Sequence, residues 1–171
     1  MHYFGYGSNM LTRRLRARVP SATPVGPGRL PSYRLHFHKR SRDGSGKCNI
    51  VPAENSLVHG VLFEVNPAEL DALDEAEQRG RGYERRDLTV RGPTSPVEAF
   101  AYVAQPAYVE DALLPYDWYR ALVLAGAREH GLPPAYVDQL AAVRSYPDPD
   151  QDRRREHQAL LEEAGFPLLR P

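Results

Sequence analysis

Strand-like segments crowd the first 104 residues of this 171-residue chain, while the last third, from residue 116, turns helical. That order constrains the fold more than any other feature. Residues 2–6 read as a buried strand, and "YRLHFHK" (33–39) alternates as a strand does. Segments 49–53 and 57–65 are expected to pair across a short turn, and 83–90 and 96–104 follow as two more strands. A short helix at 10–17 stops before Pro20, and "PSATPVGPG" (20–28) reads as an irregular crossing segment because Pro and Gly punctuate it. One further helix, 66–78, is inserted between strands, with Asn66 as N-cap and Pro67 at its first position. Helices at 116–130 (closing at Gly131) and 133–143 come next. "SYPDPDQD" then precedes a polar helix of about a dozen residues and the apolar tail "FPLLRP". Without regular βαβ alternation, the expected class is α+β, a small mixed, barrel-like sheet flanked by helices. Residues 1–150 are expected to form one domain, with 151–171 a helix and tail packed on it.

The remaining composition excludes more than it assigns. Lys plus Arg equals Asp plus Glu at 22 each, so no overall field draws the chain to nucleic acid or an anionic membrane. The lone Cys48 rules out an internal disulfide and suits a reducing compartment. No stretch approaches the ~20 apolar residues of a membrane span, and no signal-peptide h-region opens the chain. A cytoplasmic location is the expectation.

Helix 66–78 carries the most informative local pattern. At about 100° per residue, Leu70 and Leu73 define its apolar stripe, and Glu77 projects between them. Burial, the negative helix end and nearby Asp74 all favour the protonated form, as a general acid/base near neutral pH requires. The alternative is that Glu77 ends a frayed helix or pairs with Arg79, Arg81 or Arg85.

A second candidate lies at the N-terminus, where "YFGYGSNM" (3–10) breaks from strand into Gly7-Ser8-Asn9. Gly7 permits backbone geometry closed to other residues and lets a ligand come close. Consecutive N–H groups between a strand end and a helix start suit a small anion, a carboxylate rather than a phosphate, because neither a P-loop nor GxGxxG is present. The alternative is that Ser8 or Asn9 caps the helix.

Other constellations point to less. His36 and His38 share a strand face without a third ligand at convincing spacing, so no metal is expected and both are expected to be exposed. Cys48 lacks an activating neighbour, and the Arg face of "RRLRAR" (13–18) reads as solvated. His130 suits the C-terminal end of a helix as a cation.

Taken in order, "YFGYGSNM", "GVLFEV" before "LDALDEAE", "GRGY" and "WYRALVLAGAREHGLPPAYVDQL" give a pattern that resembles the gamma-glutamylcyclotransferase family from Tyr3 to about Val143. The resemblance implies that family's fold and conversion of a γ-glutamyl compound to 5-oxoproline with release of the attached amine or amino acid, without metal or cofactor. It assigns Glu77 as catalytic acid/base and Tyr6, Gly7, Ser8 and Asn9 as the loop holding the glutamyl group. Tyr83 falls near the site, and Tyr102 and Tyr119 match tyrosines lining it. The implied partner is a small γ-glutamyl substrate, with no nucleic acid or membrane; a homodimer contact is the sharper alternative to simple packing for residues 144–171. Gln78 departs from the pattern, standing where many members have Gly, and the segment to Tyr83 is one residue shorter than in some relatives. "QRGRG" beside the acid has a mobile lid's composition. Two rival functions stand beside this one: removal of a γ-glutamyl group from a specialised biosynthetic intermediate, and a non-catalytic module binding a glutamyl-like carboxylate.

Overall fold

Two long antiparallel strands, β2 (Thr23–Arg40) and β3 (Gly46–Glu64), frame the computed structural model, which describes residues 1–166. The shorter strands β1 (His2–Gly5), β4 (Tyr83–Arg91) and β5 (Pro96–Ala104) complete a closed barrel in the order β1-β3-β2-β4-β5. The sheet is mixed: β1 runs antiparallel to β3 (Phe4 opposite Leu62) but parallel to β5, where Tyr3 faces Phe100 and closes the barrel. Phe4, Val61, Leu62 and Phe63 are fully buried, and each such side chain contributes about 1.5–3 kcal/mol.

Two expectations about the strands are corrected. The Pro/Gly segment 20–28 is not an irregular crossing, because from Thr23 onward it is the first third of β2. Its prolines are tolerated since β2 meets β4 only at Arg29 opposite Arg91, leaving that edge little ladder to lose, and register shifts fall at Pro24/Gly26 and Pro31/Tyr33. Segments 49–53 and 57–65 likewise belong to one strand. The expected turn is a bulge: Leu57 pairs with Pro31 and Pro52 with Tyr33, and Asn55 takes a positive φ of 57° between them.

The helices follow the sequence more closely. Expected helix 10–17 begins two residues earlier, as a 3₁₀ turn at Ser8–Met10, and continues as α1 (Thr12–Arg16). Segment 66–78 is a 3₁₀ turn, Pro67–Glu69, leading into α2 (Leu70–Ala76), and the Asn66 side chain accepts from the Ala68 N–H. Then come α3 (Asp117–Glu129), α4 (Pro134–Ala141) and α5 (Gln151–Glu163). Helix α3 is buried almost all round, and Gly126 explains how it seats the N-terminal turn: a Cβ there would lie 2.4 Å from the Leu11 nitrogen. Helix α5 packs on α3 through Leu161, an Arg154–Asp117 ion pair of 2.6 Å and a Trp118–His157 stack. The expected tail lies, apart from Phe166, outside the described residues. Among the described residues no helix is long and apolar enough to cross a membrane.

Candidate active site

The site assembles where β1 runs out. Tyr6 and Gly7 leave the barrel rim, and the 3₁₀ turn closes with the Met10 N–H donating to the Gly7 carbonyl at 3.0 Å. Gly7 is needed for room rather than for backbone geometry. Its φ of −118° is open to any residue, but a Cβ would meet Cys48 Cβ at 3.1 Å and Tyr119 Oη at 3.2 Å. Neither Ser8 nor Asn9 caps a helix with its side chain. Ser8 Oγ accepts from Arg14 at 3.1 Å. Asn9 Nδ2 donates to Tyr3 Oη at 3.0 Å and to Glu77 Oε1 at 2.9 Å, and its Oδ1 accepts from Arg18 at 3.0 Å.

Helix α2 delivers the acid. Leu73 buries against the core, and Glu77, the C-cap residue, turns inward with its side chain 16% exposed. Its ion-pair partner is Arg18 at 2.5 Å, not Arg79, Arg81 or Arg85; Arg79 and Arg85 pair with Asp74 instead. Both donors to Glu77 converge on Oε1, and Oε2 has no partner among the described residues. Gln78 follows with a φ of +55°, the left-handed conformation that makes Gly the favoured residue after a helix end. Segment 78–82 is tied down rather than hung as a lid. Arg79 donates to the Asp74 carbonyl, Gly80 to that of Tyr83, and Gly82 to Gln105 Oε1, all within 3.0 Å.

Tyrosines wall the space between turn and acid. Tyr6 donates to the Tyr102 carbonyl, Tyr83 to the Cys48 carbonyl at 2.6 Å, and Tyr119 accepts the Cys48 N–H at 3.1 Å. Tyr102 borders the space while its hydroxyl reaches Asp74 at 2.7 Å. Burial raises all four phenols above their usual range, so they remain protonated donors. All eight residues picked from sequence (Glu77, Tyr6, Gly7, Ser8, Asn9, Tyr83, Tyr102 and Tyr119) border one void of about 30 Å³. A second void of about 200 Å³ adjoins it. A larger groove of about 470 Å³ between α4 and the β2–β3 ribbon lies apart, and no carboxylate lines it.

Tyr3, Cys48, Arg14 and Arg18 belong to this region but were not picked from sequence. The Arg face of 13–18 is only partly solvated: Arg13 and Arg16 point out, whereas Arg14 and Arg18 point in. Their four-residue spacing, about one helical turn, was the available signal, although Arg18 lies just past the end of α1. Burial, then Arg18, lowers the Arg14 guanidinium to about 10, still charged at neutral pH. Burial pushes the Cys48 thiol up to about 12, the opposite of what a nucleophile needs. His38 is buried, not exposed, and its ring nitrogens meet Asp111 at 2.8 Å and Asn49 at 3.0 Å. His130 is held below its usual value by burial, so it ends α3 as a neutral ring, hydrogen-bonded to Thr12, and not as a cation.

The comparisons with known proteins agree with this fold. A human gamma-glutamylcyclotransferase is 30% identical over 153 residues, covering 82% of this chain and 77% of its own. A solved gamma-glutamyl cyclotransferase structure superimposes with a TM-score of 0.79 at 26% identity, covering 91% of this chain and 98% of that one. The ensemble-refined crystal structure of an uncharacterised human protein superimposes with a TM-score of 0.78 at 30% identity, covering 84% and 88%. The family model described as gamma-glutamyl cyclotransferase, AIG2-like, matches residues 3–121, from the strand that opens the barrel into the helix that seats the turn, and the chain belongs to that family.

Proposed function

We propose that this chain converts a γ-glutamyl amino acid or amine to 5-oxoproline and the free amino acid or amine, with Glu77 as general acid/base. The observation that carries this reading is the meeting of Glu77 with the Gly-Ser-Asn turn: Oε1 lies 2.9 Å from Asn9 Nδ2 in a tyrosine-walled space, and Oε2 is left for a substrate proton. The substrate brings its own nucleophile, the α-amine. Holding its chain folded for five-membered ring closure gives the rate advantage of an intramolecular reaction.

The inner void holds about one water's volume, so the glutamyl group enters by taking over contacts now made within the protein. Its α-ammonium replaces Arg18 on Glu77, and its α-carboxylate takes Arg18 and the turn. Glu77 accepts a proton from the ammonium, and the amine attacks the γ-carbonyl carbon. Backbone N–H groups of the turn steady the oxyanion. The new C–N bond forms, the old amide C–N bond breaks, and Glu77 protonates the departing nitrogen. The α-nitrogen starts with three protons and ends with one, while the leaving nitrogen starts with one and ends with three. One carboxylate between them can relay both protons in turn, so the chemistry needs neither metal nor cofactor.

The test is 5-oxoproline release from γ-glutamyl dipeptides, γ-glutamylamines and glutathione. Release by wild type that Glu77→Gln loses is the expected result. A variant keeping most of its turnover would sink the assignment of Glu77.

A further inference from the structure

The outer void opens off the inner one, and Ser8, Glu77, Tyr83 and Tyr119 border both. Arg14, Arg18, Lys39, Lys47 and Arg153 line it against two acids, Asp43 and Glu77. Most of these cations have partners. Lys47 pairs with Asp43 at 2.7 Å, Arg18 with Glu77 at 2.5 Å, and Arg153 with Asp148 at 2.6 Å. Two do not. Arg14 touches only Ser8 Oγ, and Lys39, 3% exposed, has no hydrogen-bond or ion-pair partner among the described residues. The Lys39 ammonium lies 4.7 Å from the centre of the Tyr83 ring.

The sequence keeps room for that ammonium. A Cβ at Gly82 would come within 2.8 Å of Lys39 Cε and Nζ, so a side chain there would push the end of the lysine from its present place. His157, from α5, reports the same field: burial, then Arg14, Lys47 and Arg153, push its imidazole down to about 3. Two cations without an ion-pair partner facing one partly closed space, where cations outnumber acids, favour anions that join them.

We propose that the outer chamber is a leaving-group subsite for doubly anionic amines. The group released from the γ-glutamyl conjugate carries two acidic functions, one met by Arg14 and the other by Lys39. An acidic α-amino acid is the smallest such group. The proposal rests on the cyclotransferase reading, in which the zwitterionic glutamyl end exchanges with the Glu77–Arg18 pair at no net change of charge. A leaving amine without an acid would strand both remaining cations, and an amino acid with a neutral side chain would strand one.

The experiment compares kcat/KM for 5-oxoproline release from γ-glutamyl-glutamate, its isostere γ-glutamyl-glutamine, and γ-glutamyl-ethylamide. Wild type is expected to favour glutamate over glutamine by about tenfold or more, the worth of one charged hydrogen bond, with ethylamide last. That ratio is expected to collapse toward one in Lys39→Met. Arg14→Gln, on a different element, is read in parallel and decides the matter if Lys39→Met does not fold. Equal use of glutamate and glutamine conjugates by wild type, or a preference that survives in the variants that fold, overturns the proposal. If wild type releases 5-oxoproline from none of the three, the cyclotransferase reading falls. Calorimetric titration with the same conjugates then reads the chamber alone: tighter binding of the glutamate conjugate, lost in the variants, supports it, and equal or absent binding overturns it.

Discussion

Glu77 and Asp148 both sit out of bulk solvent against an arginine, and they are bonded in opposite ways. Asp148 is fully buried and saturated. Trp118 Nε1 and Arg153 Nε donate to its Oδ2 at 2.7 and 2.6 Å, while Arg153 NH2 and the Asp150 N–H donate to its Oδ1 at 2.6 and 2.9 Å. Burial alone would raise its pKa, but the bonds from Arg153 and Trp118 hold it below the usual carboxylate range. Glu77 has two donors, both on one oxygen, and its other oxygen has no partner among the described residues. Saturation makes an acid part of the frame; the open oxygen is what the proposed proton relay through Glu77 requires.

The strongest way to break this comparison is to neutralise both acids. Glu77→Gln is expected to lower kcat by about 10²–10⁴-fold, the usual share of general acid–base catalysis, with its thermal midpoint unchanged or slightly raised. Asp148→Ala is expected to do the reverse, costing about 3–5 kcal/mol in urea unfolding by leaving Arg153 without its buried partner. Its kcat per folded molecule is expected to hold. If the two variants behave alike, saturation is not what separates the acids.

Smaller effects sharpen the contrast. Arg18→Gln removes the cation proposed to pass from Glu77 to the substrate carboxylate. Steady-state kinetics on γ-glutamyl-alanine are expected to show KM rising about tenfold, with kcat less affected. Around Asp148, acidification is the probe. His157 titrates at about 3 when folded against 6.5 when free, so the unfolded chain binds a proton the folded chain refuses. Stability is therefore lost as pH falls through 6.5 toward 3. His157→Phe keeps a ring on Trp118 and is expected to make the fall of the thermal midpoint shallower over that range. It will not abolish the fall, because burial also lowers His36, His59 and His130. Beside Glu77, Gln78→Gly relieves a left-handed side chain, with an expected gain of about 1 kcal/mol, or about 2–4 °C in Tm.

The stripe of α2 put Glu77 on an inward face because helical phase is a local property, and the same is true of the Asn66 cap and the Gly131 stop. What local pattern could not give was the partner. Arg18 is 59 residues from Glu77 in sequence and reaches it only because the turn rests on α3. Read alone, "RRLRAR" looks solvated; the barrel decides which arginines face in. Lys39 and His38 show the same limit, since alternation placed them on a strand without saying which stretches would be covered by the loops and helices that follow. The Pro/Gly stretch misread as a crossing segment failed for the same reason: whether proline harms a strand depends on its neighbours, and 20–28 does not reveal how little of β4 it meets.

One consequence of the Trp118–His157 stack and the Asp148–Arg153 pair concerns how such a chain can diversify. Together they fasten α5 over the outer chamber, beyond the 3–121 stretch that the family model matches. Arg14, Lys39 and Glu77 stand within that stretch, whereas Arg153 and His157 reach the chamber from outside it. Substitutions in α5 are thus expected to reshape the roof of the chamber without disturbing the barrel that folds around Glu77. For protein engineers, α5 is a place to adjust the shape of the proposed subsite while Arg14 and Lys39 are left to set its charge.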